Sequence, residues 1–211
     1  MSMAITEWYL NIEQLPIFAK ATLDYLEGLK PHEAKHWDLQ TNAMKIYKTE
    51  LLSQLLRIQN NRCAYCGLGL DRNLIDREHF VHKDQNGGWP EFMFVAENLI
   101  AACAYCNRAL KGCTTTVAQY SANYADCRFN LVHPILDDPR AEIAFIPDMH
   151  GDAILAKSLT KKGLDTLTFF ELMTPIMTAK RAAYLLEIKR MEEMALADYN
   201  ELRAISHYKP S

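Results

Sequence analysis

The sequence predicts an α+β protein in which helices at both ends flank a small module of short strands. Three observations lead to this prediction. Apolar residues recur at helical spacing before residue 60 and again after residue 175. Between these regions, short apolar pieces alternate with turns, which is typical of short strands. Two Cys-Ala-Tyr-Cys pairs, separated by 36 residues, lie at the two ends of this middle region.

Composition is typical of a globular chain and limits the classes of function. The 211 residues are 49% hydrophobic and 23% charged, which excludes a wholly disordered protein. A net charge of −3 argues against a protein that coats nucleic acid through bulk charge, although it leaves room for a local basic groove. There is no apolar run of about 18 residues and no signal-peptide pattern near the start. We therefore expect a cytoplasmic protein without membrane contact, in which cysteines are metal thiolates or free thiols rather than disulfides.

The N-terminal helical segment is predicted to cover residues 1–62. A first helix is expected over about 10–28, because apolar side chains from Ile12 to Leu26 follow helical spacing. Pro31 interrupts the pattern, and a second helix is expected over about 42–59.

The middle module is predicted to cover residues 63–113. The stretch 76–83 has the pattern of a strand, and 104–110 is expected to form a short helix. Basic and acidic residues balance in this module, with six of each between positions 61 and 113. A module with no net charge should bind a polyanion weakly unless an ion, the basic C-terminal segment or a partner contributes.

The C-terminal segment, residues 114–211, is predicted to contain a hairpin and a long helix, and to form one unit with the module. The hairpin is expected from strands near 142–147 and 152–157. The helix is expected over about 176–206, with one apolar stripe that serves either the core or a partner subunit. The predicted stripe consists of Tyr184, Ile188, Met191, Ala195, Tyr199 and Leu202.

The paired cysteines predict a zinc site. Each C-x2-C spacing allows a turn to direct two sulfurs at one ion, and two such turns complete a tetrahedral site. The predicted ligands are Cys63, Cys66, Cys103 and Cys106. A site closed by four thiolates has no position for water, so we expect a structural zinc ion. The alternatives are a coincidental pair or a redox role.

Polar residues between and after the cysteines suit phosphodiester hydrolysis. This reaction needs a base for water, an oxygen-ligated divalent ion and stabilisation of the leaving oxygen. Glu78 and His79 adjoin on the predicted strand, Asn98 precedes the second cysteine pair, and Asn107 follows it. Histidine can act as the base, and carboxylate and amide oxygens suit Mg²⁺.

In order and approximate spacing, these residues resemble the HNH endonuclease family over about 50 residues. The resemblance implies a zinc-stapled, treble-clef-like ββα-metal core. It implies that His79 is the general base, that Glu78 and Asn107 bind a catalytic Mg²⁺ or Mn²⁺, and that Asn98 fixes the loop facing the histidine strand. The expected activity is metal-dependent cleavage of nucleic acid, with DNA as the expected substrate.

Two departures from the family pattern leave the phosphate contacts open. His82 stands where many members have proline three residues after the histidine. Many members also have lysine three residues after the last asparagine, whereas Lys111 is four residues after Asn107. Arg108, Lys111 and His82 are therefore all candidates for a phosphate contact.

The flanking segments resemble HNH proteins of bacterial anti-phage systems, of the Septu and retron-associated types. This resemblance implies a nuclease effector held by an ATPase subunit of a defence complex. The chain contains no G-x-x-x-x-G-K-[ST] loop, so ATP control would come from the partner. Two alternatives remain at this point, namely an RNA-cleaving enzyme acting for example on tRNA, and a non-catalytic zinc-dependent adaptor.

Overall fold

Helices near both ends of the described chain flank short strands, and together they form a mixed α+β fold. The computed structural model describes residues 7–70, 74–84, 87–147, 153–193 and 198. The helices are α1 (Lys20–Glu27), α2 (Asn42–Ile58), α3 (Pro139–Glu142), α4 (Lys161–Phe169) and α5 (Pro175–Glu193). The strands are β1 (Ile75–His79), β2 (Leu99–Cys103), β3 (Val117–Gln119), β4 (Arg128–Phe129), β5 (Ile143–Pro147) and β6 (Ala153–Ser158). They pair in order as three two-stranded antiparallel sheets.

The β1–β2 ribbon is the part of the fold that carries Glu78 and His79 and ends at Cys103. Its register pairs Ile75 with Cys103 and His79 with Leu99. A π-helix over Tyr105–Lys111 follows β2 at once. The strand predicted over 76–83 is therefore shorter than expected and ends at His79, beyond which the chain turns away as a loop.

The N-terminal prediction is correct only in part. Helix α1 begins at Lys20, and residues 10–19 lie outside any helix. Pro16 disfavours a helix through this stretch because it lacks an amide donor and restricts the residue before it. The backbone amides of Leu10 and Ile12 instead donate to Ala64 and Pro134, so both side chains reach the core from an extended segment.

Helix α2 confirms the second predicted helix to within one residue. It begins after Thr41, whose hydroxyl accepts a hydrogen bond from the Met44 amide. The buried face of α2 packs against β2 and consists of Met44, Tyr47, Leu51 and Leu55. The helix thereby covers one side of the ribbon.

The C-terminal prediction is confirmed for the strands and for the first part of the helix. Strands β5 and β6 form the expected hairpin, whose connecting turn lies outside the described residues. Helix α5 buries Met177, Arg181 and Leu185, whereas the predicted stripe residues Tyr184 and Ile188 are only partly buried. The remaining stripe residues are Met191, whose side chain is not described, and Ala195, Tyr199 and Leu202, which lie outside the described residues.

Among the described residues, no helix combines the length and the apolar character needed to cross a membrane.

Candidate metal centre and adjoining cavity

Four cysteine sulfurs converge at one end of the β1–β2 ribbon. The Sγ atoms of Cys63, Cys66, Cys103 and Cys106 all lie within 4.8 Å of one another. Cys66 and Cys103 are 4.0 Å apart, which is too far for a disulfide, and all four thiols are free. Zinc–sulfur bonds of ~2.3 Å give tetrahedral edges of about 3.8 Å, so this cluster has the dimensions of a zinc site. The four cysteines could therefore hold a zinc ion.

The two cysteine pairs reach the cluster through different backbone conformations. Cys63 to Cys66 form a turn, closed by a 2.9 Å hydrogen bond from the Gly67 amide to the Cys63 carbonyl. Gly67 has φ +68°, and a Cβ there would lie 2.1 Å from the Trp8 carbonyl oxygen, so the turn requires glycine. Cys103 instead ends β2 and Cys106 lies in the π-helix. The two Cys-Ala-Tyr-Cys sequences therefore adopt different backbone conformations.

Hydrogen bonds among the four thiols shift the pKa values of three of them in opposite directions. Hydrogen bonding with Cys106 and then with Cys63 and Cys66 lowers the pKa of Cys103. The pKa values of Cys66 and Cys106 are raised, in each case first by the hydrogen bond with Cys103. A divalent cation would stabilise further thiolates in this space, because only the deprotonated sulfur is a metal ligand.

Beside the cysteine cluster, the ribbon and the π-helix enclose a cavity of about 250 Å³. Five of the predicted site residues line it, namely Glu78, His79, His82, Asn107 and Lys111. Arg108 and Asn98 do not line the cavity. These five residues span 34 positions of the sequence, from Glu78 to Lys111. The antiparallel pairing of β1 with β2 brings the two ends of this span together.

His79 is a buried imidazole whose orientation and tautomer are fixed by its contacts. Its Nε2 lies 3.2 Å from the Met93 carbonyl oxygen, which can only accept, so Nε2 carries the proton and Nδ1 holds the lone pair. The ring packs edge-on to Trp37 with centroids 4.3 Å apart. Burial lowers the pKa of His79 to about 3, with help from nearby Lys83 and Lys111. The imidazole is therefore neutral at neutral pH, with a proton on Nε2 and none on Nδ1.

Glu78 forms a buried ion pair. Its Oε1 lies 2.7 Å from Lys111 Nζ, and the two side chains are 6% and 1% exposed. Tyr65 also donates to Oε1, at 3.2 Å. Burial raises the pKa of Glu78, and Lys111 and Tyr65 counteract that shift by stabilising the carboxylate. Lys111 therefore contacts an acid rather than solvent.

The π-helix explains how Lys111 reaches this position. One inserted residue in a helix is accommodated by a π-type turn, and such turns are frequent at functional sites. Lys111 is one residue further from Asn107 than the lysine of the HNH pattern. The π-helix that contains both residues widens the turn, and Lys111 still lies on the cavity.

Replacing Lys111 with methionine should lower the free energy of unfolding by about 3–5 kcal/mol, because it leaves a buried carboxylate without its cation. Urea denaturation of the purified chain at pH 7 measures this change. The variant carrying both Lys111→Met and Glu78→Gln should recover most of the loss, since neither buried charge remains. Equal or greater destabilisation of the double variant would show that lost packing, rather than the unpaired charge, causes the effect.

Asp76 is a site residue that the sequence reasoning missed. Its Oδ2 accepts from Asn107 Nδ2 at 3.0 Å and from Arg108 Nε at 2.8 Å. Because a carboxylate can only accept, Asp76 fixes the amide nitrogen of Asn107 and leaves the amide oxygen for another partner. The alternation of side chains along β1 is the signal that could have identified Asp76. Residues two positions apart share a face of a strand, so Asp76 lies on the same face as Glu78.

Asn98 holds the backbone that faces the histidine strand. Its Oδ1 accepts from the Val81 amide at 2.7 Å, and its Nδ2 donates to the carbonyl oxygens of Val81 and Phe92 at 3.0 and 2.9 Å. Tyr124 donates a further hydrogen bond to Oδ1 at 2.9 Å. The fully buried amide therefore joins the end of β1 to the segment that precedes β2.

His82 lines the cavity but differs from His79 in its contacts. It is 7% exposed, and its Nδ1 has no hydrogen-bond partner among the described residues. Burial lowers its pKa, and Lys111 adds to that shift. The ring is therefore a neutral group with one buried nitrogen that has no hydrogen-bond partner among the described residues.

The donor set of the cavity fits a hard divalent cation. Glu78 offers a carboxylate and Asn107 an amide oxygen, which are the ligand types that Mg²⁺ and Mn²⁺ prefer. Among the described residues, the only grouping of three or more His, Cys, Asp or Glu ligand atoms is the cysteine cluster. An ion at Glu78 and Asn107 would thus keep most of its shell for water or substrate, as Mg²⁺ commonly does.

No protein-family model, no curated protein and no solved structure matches this chain. The function proposed below is supported by the residues and contacts of the chain itself.

Proposed function

We propose that this protein is a metal-dependent endonuclease of the HNH type, which hydrolyses phosphodiester bonds in nucleic acid, with DNA as the expected substrate. The observation that supports this proposal best is the joint placement of Glu78, His79 and Asn107 on one cavity beside the four-cysteine cluster. We also propose a defence role with an ATPase partner, and the only support for this part is the sequence resemblance of the flanking segments.

In the proposed reaction, His79 removes a proton from the attacking water. Its Nδ1 is the unprotonated nitrogen, because Nε2 donates to Met93. The contacts to Met93 and Trp37 fix the orientation of the ring before substrate arrives. A base held in one orientation by the surrounding fold needs no rearrangement during the reaction.

Glu78 and Asn107 are the proposed ligands of the divalent ion. When bound, the ion would supply Lewis-acid stabilisation of charge on the phosphate and on the departing oxygen. Asp76 acts as a positioning residue, since it holds the Asn107 amide by its nitrogen. Lys111 neutralises Glu78 in the present arrangement, and an ion beside the same carboxylate would take over that charge balance.

The zinc-dependent adaptor is the main alternative to an enzyme. An adaptor would explain the cysteine cluster, but it would not require a buried neutral histidine and a buried carboxylate on the same cavity. Burial of both groups costs free energy, and such costs are concentrated at functional sites. The cavity therefore favours the enzyme over the adaptor.

The proposal is tested by incubating the purified chain with supercoiled plasmid, single-stranded DNA and tRNA. We expect nicking or linearisation of plasmid with Mg²⁺ or Mn²⁺ and none with EDTA. Cleavage of tRNA with no change in either DNA would instead identify the RNA-cleaving alternative. Intact substrates in every reaction, over a range of Mn²⁺ concentrations, would contradict the nuclease assignment and leave the adaptor.

A further inference from the structure

We propose that Lys48, Arg77 and Lys83 form a cleft that binds the sugar-phosphate backbone of the substrate beside His79. The inference rests on the proposed nuclease function and names the residues that would hold its substrate. The three side chains come from α2, from β1 and from the loop after β1. They are called the cationic cleft below.

Direct contacts place the cationic cleft next to His79, the proposed general base. Arg77 Nε donates to the Lys48 carbonyl oxygen at 2.6 Å, which draws β1 and α2 together at this point. Lys48 Nζ lies 4.9 Å from the centre of the Trp37 ring, and that ring packs against His79. Arg77, Lys83 and Trp37 all line the 250 Å³ cavity that contains His79 and Glu78. A phosphate bound here would lie next to the base.

The other two basic residues of the site are already engaged. Lys111 is buried in its pair with Glu78. Arg108 contacts both oxygens of Asp76 through Nε and Nη2. Neither is therefore available as the first contact for an incoming backbone, although both were candidates from the sequence.

By contrast, none of the cationic cleft residues forms an ion pair with a carboxylate of the described residues. All three are partly buried. Burial lowers the pKa of Lys48, and attraction by Asp38 opposes this shift. Repulsion from Arg77 and Lys83 lowers the pKa further. Like charges held together in this way are stabilised when an anion binds between them.

The cleft suits phosphates rather than bases. Trp37 is 9% exposed and covered by Lys48 and His79, so its face is not open for stacking on a nucleobase. Lysine and arginine on a cavity edge instead make contacts to phosphate that do not read sequence. Asp38 and Asp84, both exposed, lie in the same region and leave the cationic cleft with a net positive charge.

The cationic cleft is tested by nucleic-acid binding in the absence of added Mg²⁺ or Mn²⁺, which keeps the result separate from cleavage. Fluorescence anisotropy is measured with a labelled 20-base-pair DNA duplex, the matching single strand and an RNA duplex, at several KCl concentrations. The triple variant Lys48→Ala, Arg77→Gln, Lys83→Ala should bind roughly tenfold more weakly or worse. The slope of log affinity against log salt should fall by about 2 to 3, because three phosphate contacts are lost.

The matched control removes three exposed cations that already pair with carboxylates, in the variant Lys20→Ala, Arg140→Gln, Lys161→Ala. It has the same net charge as the test variant and should keep both the affinity and the salt slope of the unmodified chain. Circular dichroism verifies that both variants are folded. A loss confined to DNA or to RNA identifies the backbone that the cleft accepts. Equal losses in the two variants, or no binding of any probe by the unmodified chain, would overturn the proposal.

Discussion

Replacing His79 with alanine is expected to abolish metal-dependent cleavage while the chain still folds and still binds zinc. A positioned general base contributes about 10²- to 10⁴-fold to rate, and losing this one should bring cleavage close to background. The four-cysteine cluster should be unaffected, because none of its sulfurs contacts the imidazole through a hydrogen bond. Plasmid cleavage at saturating Mn²⁺, together with the zinc content of the same preparation, measures both parts.

Alanine also leaves a space beside Trp37, so a second substitution at position 79 serves as the control. Glutamine can keep a donor for the Met93 carbonyl oxygen and fills much of the volume, yet it offers no basic nitrogen. His79→Gln should therefore match the stability of the unmodified chain more closely than His79→Ala does, with the same loss of cleavage. Cleavage at the unmodified rate in both variants would remove His79 from the reaction.

Replacing Cys103 with serine is expected to release zinc and to lower the melting temperature by roughly 10 °C or more. Structural zinc contributes folding free energy directly, and for a chain of this size each kcal/mol lost shifts the melting temperature by about 2–4 °C. Cys103 is central to the cluster, because its sulfur accepts from the Cys106 amide and its own amide donates to Cys63 Sγ. Metal analysis by mass spectrometry and thermal denaturation measure the two effects.

Cys113 provides the matched control for that experiment. It is an exposed free thiol outside the four-sulfur cluster. Cys113→Ser should keep one zinc per chain and the original melting temperature. If Cys103→Ser keeps its zinc and its melting temperature as well, the four-cysteine site is not the zinc site of this protein.

The elements that local sequence determines were predicted well. Helix α2 follows from its apolar period, and the β5–β6 hairpin follows from two short apolar runs. The helix expected over 10–28 was wrong for residues 10–19, because apolar spacing alone does not distinguish a helix from an extended segment that buries Leu10 and Ile12. Pro16 was the signal that should have limited it.

For the candidate site, motif spacing identified which residues meet but not how they pair. It placed Glu78, His79 and Asn107 together, as the cavity lining does. The pairing of Lys111 with Glu78 depends on the π-helix, whose widened turn leaves no periodic mark in a seven-residue segment. The link from Arg77 to Lys48 joins residues 29 positions apart, so it depends on how α2 packs on the ribbon and could not be predicted locally.

The cysteine cluster has a consequence for engineering the chain. The Sγ atoms of Cys66 and Cys103 are 4.0 Å apart. The segment between these two cysteines therefore begins and ends at nearly the same point in space. The anchored stretch after β1 begins at Val81 and ends at Asn98, where the amide again ties both ends together. An insertion in the loop between these closures, placed away from Lys83 and Met93, should therefore leave unchanged the distance that the rest of the chain must span.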